Sequence, residues 1–430
     1  MSNQQAQQAQ INPGIRRRRK DTDAAPEIAT LELHAWGNLG DTLANFEDGV
    51  INVFGGIPGE RVRARIIRYR RRRRQHVSAI VGEVIDASPH RIDPPCAYFG
   101  ACTGCQWQHI DYDHQLELKR QRVANALGEY PELRRIIVSE TLPSPQMFGY
   151  RNHARFTIRE SGMLGYINRL TRRFVKVDDC ALMHPWINEA LRALQGKAAE
   201  TTQLSVRYGV NTGDWLIQPT MHNPDIPLPT GQTHYWEQMH DRHLRIASPS
   251  FAQVNTPQAE RLATIVSERL RLDGTETLVD AYAGVGTFAV LLADSARRVI
   301  AIEESSAAVN DAAVNIEGIT NLEFVCSRTE DYLDSLDDPP DAVIIDPPRV
   351  GCHPATLDAL IRRKPKRTVY VSCDPDSLAR DLAYLVAGGF AVSSVEPVDM
   401  FPQTYHTECI ATLVPAVTLP ADGQPEDTPL

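Results

Sequence analysis

The chain has 430 residues, 42% hydrophobic and 23% charged, with a formal net charge of −9. That is ordinary globular composition, enough for two or three domains with their own cores. No run of eighteen apolar residues occurs and the polar N-terminus has no apolar segment of the signal-peptide kind, which excludes a membrane-spanning helix and leads us to expect a cytoplasmic, monomeric protein with no membrane partner.

Charge is uneven along the chain. Residues 1–75 hold 14 Lys and Arg against 8 Asp and Glu, a net +6, so the remainder carries −15. Residues 1–25 read as a disordered basic tail containing Arg16-Arg17-Arg18-Arg19-Lys20. From 26 to 88, short apolar runs punctuated by Gly37, Gly40, Gly49, Gly55-Gly56 and Pro58-Gly59 predict five strands and a small OB-like barrel. The alternating arginines of 61–74 fall inside this unit and suit a phosphate backbone; a solvated arginine-rich loop is the plainer reading. Residues 89–246 mix a cysteine cluster, a helix at 112–127 and strands at 154–158, 204–208 and 214–219, which predicts a central α+β domain. From 247 to 417, strands at 277–279, 298–302, 322–325, 342–345, 368–371, 391–395 and 409–413 alternate with helical segments. The fold class is therefore α/β, a doubly wound parallel sheet. The last two strands have no helix between them and predict a closing antiparallel hairpin. Residues 418–430 read as an acidic, Pro-rich tail.

Four of the parallel strands end in chemically useful residues, along the edge where open α/β sheets bind ligands. The first runs into Asp280-Ala281-Tyr282-Ala283-Gly284-Val285-Gly286-Thr287, a glycine cradle that lets backbone approach a ligand closely. It lacks the third glycine of the dinucleotide fingerprint. The second ends at Glu303, whose carboxylate can accept both hydroxyls of a ribose. Asp280, the cradle and Glu303 together fit S-adenosylmethionine; a generic nucleotide fold is the alternative. The next motifs are Asp346-Pro347-Pro348-Arg349 and Val371-Ser372-Cys373-Asp374-Pro375, and Glu408 stands near the end of the chain.

A thiolate is a strong nucleophile, and a free thiol needs activation to become one. Carbon 5 of uracil becomes nucleophilic only when a thiolate adds to carbon 6. The resulting enolate can take a methyl group from a sulfonium, and a base must then remove the carbon-5 proton. Cys373 and Glu408 supply one thiol and one carboxylate, with Asp346 and Arg349 placed to orient the ring. Read separately, Cys373 is a small buried side chain and Glu408 a surface acid.

The stretches Phe251-Ala252-Gln253-Val254-Asn255, 280–288, 346–351, 371–375 and 399–408 resemble, in order and spacing, the RNA uracil-5-methyltransferases. Gly55-Gly56-Ile57-Pro58-Gly59-Glu60 resembles the RNA-binding TRAM domain of that family. The resemblance covers about residues 28–415. It implies a Rossmann-like methyltransferase domain, Cys373 as nucleophile and Glu408 as proton acceptor. Gln253, Tyr282, Thr287, Glu303 and Asp346 would contact S-adenosylmethionine. RNA would be the partner, with 23S ribosomal RNA favoured by family habit over the T-loop uridine of transfer RNA.

Cys96, Cys102 and Cys105, with Cys180 far downstream, can close a four-thiol site. Spacing alone leaves zinc and an iron–sulfur cluster both open; the resemblance implies a 4Fe–4S cluster. Two rivals differ in class. An exocyclic-nitrogen methyltransferase usually places an aromatic after Asp-Pro-Pro, where this chain has Arg349, and needs no thiol. A non-catalytic RNA-binding factor would need neither Cys373 nor Glu408.

Overall fold

The computed structural model describes residues 26–71 and 74–416; the expected tails at 1–25 and 418–430 lie outside them. Strands β1 (Ile28–Trp36), β2 (Thr42–Phe46), β3 (Gly49–Phe54), β4 (Arg61–Arg71) and β5 (Arg74–Asp86) close a barrel in the order β1-β2-β3-β5-β4. Alternation builds it. Leu31 and Leu33 point inward from β1, Val62, Ala64 and Ile66 from β4, and the arginines between them point out. Three of those arginines are already paired: Arg61 with Asp86, Arg63 with Glu83, and Arg68 with Glu27 and Glu47. Solvent screens exposed pairs of this kind, so exchanging a carboxylate for a phosphate costs little.

Helix α1 (Tyr112–Gly128) follows, capped by the Asp111 side chain on the His114 N–H. Strands β6 (His153–Arg159), β7 (Met163–Ile167), β8 (Phe174–Lys176), β9 (Gln203–Tyr208) and β10 (Trp215–Gln218) make a five-stranded sheet in the order β10-β9-β6-β7-β8. Helix α2 (Pro185–Leu194) packs Ile187, Leu191 and Leu194 against its Ala154, Phe156 and Ile158. The hairpin β11 (His234–Met239) and β12 (Arg242–Ala247) leads to α3 (Thr256–Leu270).

The C-terminal sheet has seven strands: β13 (Thr277–Ala281), β14 (Arg298–Glu303), β15 (Leu322–Cys326), β16 (Ala342–Ile345), β17 (Arg367–Ser372), β18 (Phe390–Val398) and β19 (Glu408–Pro415), ordered β15-β14-β13-β16-β17-β19-β18. All seven strands predicted from sequence are present. The first five are parallel, and β19 runs antiparallel to both β17 and β18, as the missing helix implied. Their residues are apolar on both faces because helices cover both: α4 (Thr287–Leu292), α5 (Ser306–Asn315), α6 (Thr329–Tyr332), α7 (Pro354–Arg363) and α8 (Pro375–Ala387), with α3. Helix α1, which the sequence groups with the cysteines, packs instead on α8. Its Val123, Ala126 and Leu127 share one core with Val279, Tyr370 and Leu378. Residues 138 and 142 bridge to Val395 and Val398 on β18. No helix among the described residues is long and apolar enough to cross a membrane.

Candidate active site

A cavity of about 1070 Å³ opens along the carboxyl edge of the parallel strands. It gathers Gln253, Tyr282, Thr287, Glu303, Asp346, Cys373 and Glu408, the catalytic and cofactor-contact residues that the resemblance implies, while Asp280 lies buried outside its lining.

The cradle leaves β13 with Tyr282 at φ 61, Gly284 at φ 57 and Gly286 at φ 87. A Cβ at Gly286 would sit 3.1 Å from the Phe324 ring, so only glycine fits without displacement there. Glu303 at the end of β14 accepts from the Gly284 N–H at 2.9 Å and from the Ser305 N–H at 2.7 Å. Each carboxylate oxygen keeps a lone pair toward the cavity. Tyr282 bonds Thr356 through its hydroxyl at 3.1 Å. Beneath the cradle lies Asp280, fully buried. One of its oxygens accepts from the Ala289 N–H at 2.9 Å, while Oδ1 has no partner. Burial, with repulsion from Asp346 and Glu303, pushes its carboxyl up to about 8. A glycine cradle beside the Glu303 carboxylate suits a nucleoside.

Gln253 precedes α3 on the opposite wall. Two residues on, Asn255 caps α3 at Gln258 and donates to Ser144 Oγ at 3.1 Å and to the Met400 carbonyl at 3.2 Å. The Phe251–Asn255 stretch thereby joins the cavity wall to the segment before β19.

Cys373 follows β17 directly, and Asp374 caps α8 by accepting from the Ser377 N–H at 3.0 Å. Ser372 pairs with Cys409 as the last rung of the antiparallel ladder, so the register puts Cys373 and Glu408 one step further out, and both line the cavity. Glu408 also pairs with Val398 on its other side and is 2% exposed. Burial and the neighbouring Asp346 hold its carboxyl well above the ordinary range, against the pull of Arg349. The Cys373 thiol is half-buried. Burial first, then the Glu408 carboxylate, push it up to about 11, and Arg349 opposes them. Asp346, at the tip of β16, rises to about 7 through burial. The resting site thus holds a protonated thiol beside acids that resist ionisation. Arg349 is the cation that favours both charged forms, and it donates to His406 Nδ1 at 3.3 Å.

The four cysteines chosen from the sequence line a second cavity, of about 240 Å³, together with Tyr98, Gln108, Arg151 and Tyr166. None of them is in a disulfide. Burial raises the thiols of Cys102, Cys105 and Cys180, that of Cys102 to about 11. No three His, Cys, Asp or Glu side chains among the described residues converge on one ion-sized point. Four cysteine sulfurs on one cavity are the donor set of either a structural zinc or an iron–sulfur cluster. The barrel docks beside this cavity: Trp107 Nε1 donates to the Gly40 carbonyl at 3.1 Å, and Arg91 donates to Glu60 and to the Gly55 carbonyl.

Sequence reasoning missed the supports of Glu408. Lys119 on α1 and Asp399 form an ion pair with both side chains fully buried, and Tyr112 donates to the same carboxylate at 2.8 Å. A lysine one residue after buried Leu118, on the face that α1 turns inward, was the only available signal.

Residues 237–415 match the model of the family described as tRNA (Uracil-5-)-methyltransferase. An uncharacterized RNA methyltransferase of Thermosynechococcus vestitus is 34% identical, over 90% of this chain and 98% of its own length. Another, from Gloeobacter violaceus, is 34% identical over 90% of this chain and 96% of its own. Among solved structures, the Pyrococcus abyssi tRNA (uracil-54, C5)-methyltransferase in complex with S-adenosyl-L-homocysteine superposes with a TM-score of 0.71 at 26% identity, over 89% of this chain and 99% of that one. The chain belongs to the RNA uracil-5-methyltransferase family, enzymes that transfer a methyl group to carbon 5 of uracil in RNA.

Proposed function

We propose that this protein methylates carbon 5 of a uridine in RNA with S-adenosylmethionine as donor, through a covalent bond to Cys373 that Glu408 helps to break. The observation that carries this reading is that Cys373 and Glu408 lie one step beyond the last rung between β17 and β19, lining the cavity that also holds the cradle. S-adenosylmethionine supplies an electrophilic methyl on a sulfonium. Gln253, Tyr282, Thr287, Glu303 and Asp346 hold it along the strand edge.

The Cys373 thiol gives its proton to solvent, the Sγ thiolate adds to carbon 6, and the electron pair of the 5,6 double bond moves onto carbon 5 and the carbonyl. Arg349 favours the thiolate that this step needs. Carbon 5 would then take the methyl group, with the electron pair of the broken carbon–sulfur bond staying on the donor sulfur as S-adenosylhomocysteine leaves. Glu408 in its ionised form, which Arg349 favours, accepts the carbon-5 proton, the electron pair of that C–H bond restores the double bond, and Sγ leaves as thiolate. The uridine must leave its stack to reach Sγ, at a cost of a few kcal/mol.

Cys96, Cys102, Cys105 and Cys180 hold a 4Fe–4S cluster in this reading. Its role is structural, because methyl transfer moves no electron. Anaerobically purified protein is expected to contain iron and sulfide, lost on Cys105→Ser; zinc in their place would contradict this assignment.

Five segments divide the chain: a basic tail at 1–25, a TRAM-like RNA-binding barrel at 26–88, a central domain at 89–246, the methyltransferase domain at 247–417 and an acidic tail at 418–430. The protein acts as a cytoplasmic monomer. Its target is 23S ribosomal RNA. A second reading, the T-loop uridine of transfer RNA, is favoured by the likeness to the Pyrococcus abyssi enzyme. Mapping 5-methyluridine in both RNAs from cells lacking the protein decides between them. Loss from ribosomal RNA alone supports the first, loss from transfer RNA alone the second, and loss from neither overturns both.

A further inference from the structure

The loop that delivers Glu408 is held from outside its own sheet. Residues 399–407 join β18 to β19, and at their centre Gln403 is buried with φ 69, a left-handed conformation that non-glycine residues rarely adopt. Its carbonyl accepts from the backbone N–H groups of Gln106 at 3.2 Å and Trp107 at 3.1 Å, the two residues directly after Cys105. Its side-chain Oε1 accepts from Gln115 Nε2 at 3.0 Å, and its own N–H donates to Gln115 Oε1 at 3.0 Å. The same Gln115 amide donates to the Trp107 carbonyl at 3.1 Å and the Ile110 carbonyl at 2.9 Å. Nearer Glu408, Lys119 donates to the His406 carbonyl at 2.8 Å.

A continuous path of bonded groups therefore runs from the cysteine-lined cavity to the peptide five residues before Glu408. Cys373 is held separately, by the Asp374 cap of α8 and by Ser372 Oγ, which donates to the Asp374 carbonyl at 3.1 Å. Movement of the 399–407 loop would displace the carboxylate and leave the thiol in place.

We propose that Gln403 is a positioning residue that, through Gln115 and the segment after Cys105, sets the Glu408 carboxylate against the carbon-5 proton. This rests on the reading of Glu408 as the proton acceptor. The consequence is specific to one step. Addition of Sγ to carbon 6 and transfer of the methyl group both precede proton removal. A displaced carboxylate therefore delays only the loss of the carbon-5 proton and the departure of sulfur, and the protein–RNA adduct accumulates. A general loss of fold would lower adduct and turnover together.

The test compares full-length wild-type protein with Gln403→Asn, Gln403→Gly and Glu408→Gln, using substrate RNA and S-adenosylmethionine. Asparagine and glycine both accept the left-handed backbone, and both remove the side-chain bond from Gln115 Nε2 to Oε1 while the backbone N–H and carbonyl at this position keep their partners. We expect kcat to fall about 10²-fold, the scale of an ångström-sized misplacement, with the KM for RNA unchanged. A slow-migrating covalent band should appear on denaturing gels for either Gln403 variant, as for Glu408→Gln. Unchanged turnover in both variants, or lost turnover without the band, overturns the proposal while Glu408→Gln still gives its band. Absence of the band in Glu408→Gln overturns the proton-acceptor reading, and the proposal with it. A second measurement addresses the link to the cavity: in Cys105→Ser the backbone amides of residues 400–407 should exchange hydrogen faster than in wild type. Unchanged exchange overturns that link.

Discussion

Cys373 and Glu408 stand one step beyond the Ser372–Cys409 pair, where β17 ends and β19 begins. Two strands meeting antiparallel at the edge of an otherwise parallel sheet bring the only half-buried thiol of the main cavity to a buried carboxylate 35 positions away. Neither strand alone would do so. Cys373→Ala is accordingly expected to abolish methylation, by at least 10⁴-fold on the scale seen for lost nucleophiles, with RNA binding retained. Filter binding beside a tritiated-methyl transfer assay measures both, and residual activity near wild type would remove the covalent mechanism.

The charges around Cys373 give its reaction a pH dependence with a definite sign. The thiol sits at about 11, so below that value it is mostly protonated, and the rate of adduct formation rises with pH. After burial, the Glu408 carboxylate is the strongest influence raising it, while Arg349 lowers it. In single-turnover experiments Glu408→Gln should therefore form adduct with a profile displaced to lower pH. Arg349→Ala should displace it to higher pH. Coincident profiles would show that neither charge tunes the thiol.

Asp280 couples the cradle to stability. Its ordinary value is 3.8 and burial lifts it to about 8, so between these values the folded protein keeps a proton that the unfolded chain has lost. The contribution of this group is fully present below 3.8 and is lost as pH rises to about 8. Asp280→Asn cannot ionise, so its thermal midpoint should fall less than that of wild type between pH 5 and pH 9, a window spanning the shift. Parallel curves for the two proteins would contradict the buried acid's role.

The Lys119–Asp399 pair is the costliest single point in the supports of Glu408. Breaking a fully buried ion pair by removing one partner typically costs about 3–5 kcal/mol. Lys119→Met should lose about that much in denaturant unfolding, and Lys119→Met with Asp399→Leu should recover part of it. Equal losses in the single and double variants would mean that the pair is not what the loop depends on.

The sequence was most legible where one motif sits on one strand. Asp280, Glu303, Asp346 and Cys373 each close a short apolar run, so strand periodicity alone brings them to a common edge. The final hairpin was readable because nothing between 396 and 407 has a helical pattern. The supports of that hairpin were not readable. Gln115, Lys119 and Gln403 are polar residues whose burial depends on contacts across 280 and 288 positions. Helix α1 was placed correctly in sequence, but its packing on α8 follows from tertiary contacts that no local pattern encodes. The barrel arginines were legible as charge, while their carboxylate partners, Glu83 on β5 and Glu47 in the β2–β3 turn, are fixed by strand register and tertiary contact.

The central claim is that Glu408 completes a reaction that Cys373 begins. Its most direct measurement is denaturing electrophoresis of Glu408→Gln after incubation with substrate RNA and S-adenosylmethionine, beside the same variant carrying Cys373→Ala. The account predicts a slow-migrating RNA–protein band in the first that is missing from the second. No band in the first, or an equal band in both, would contradict it.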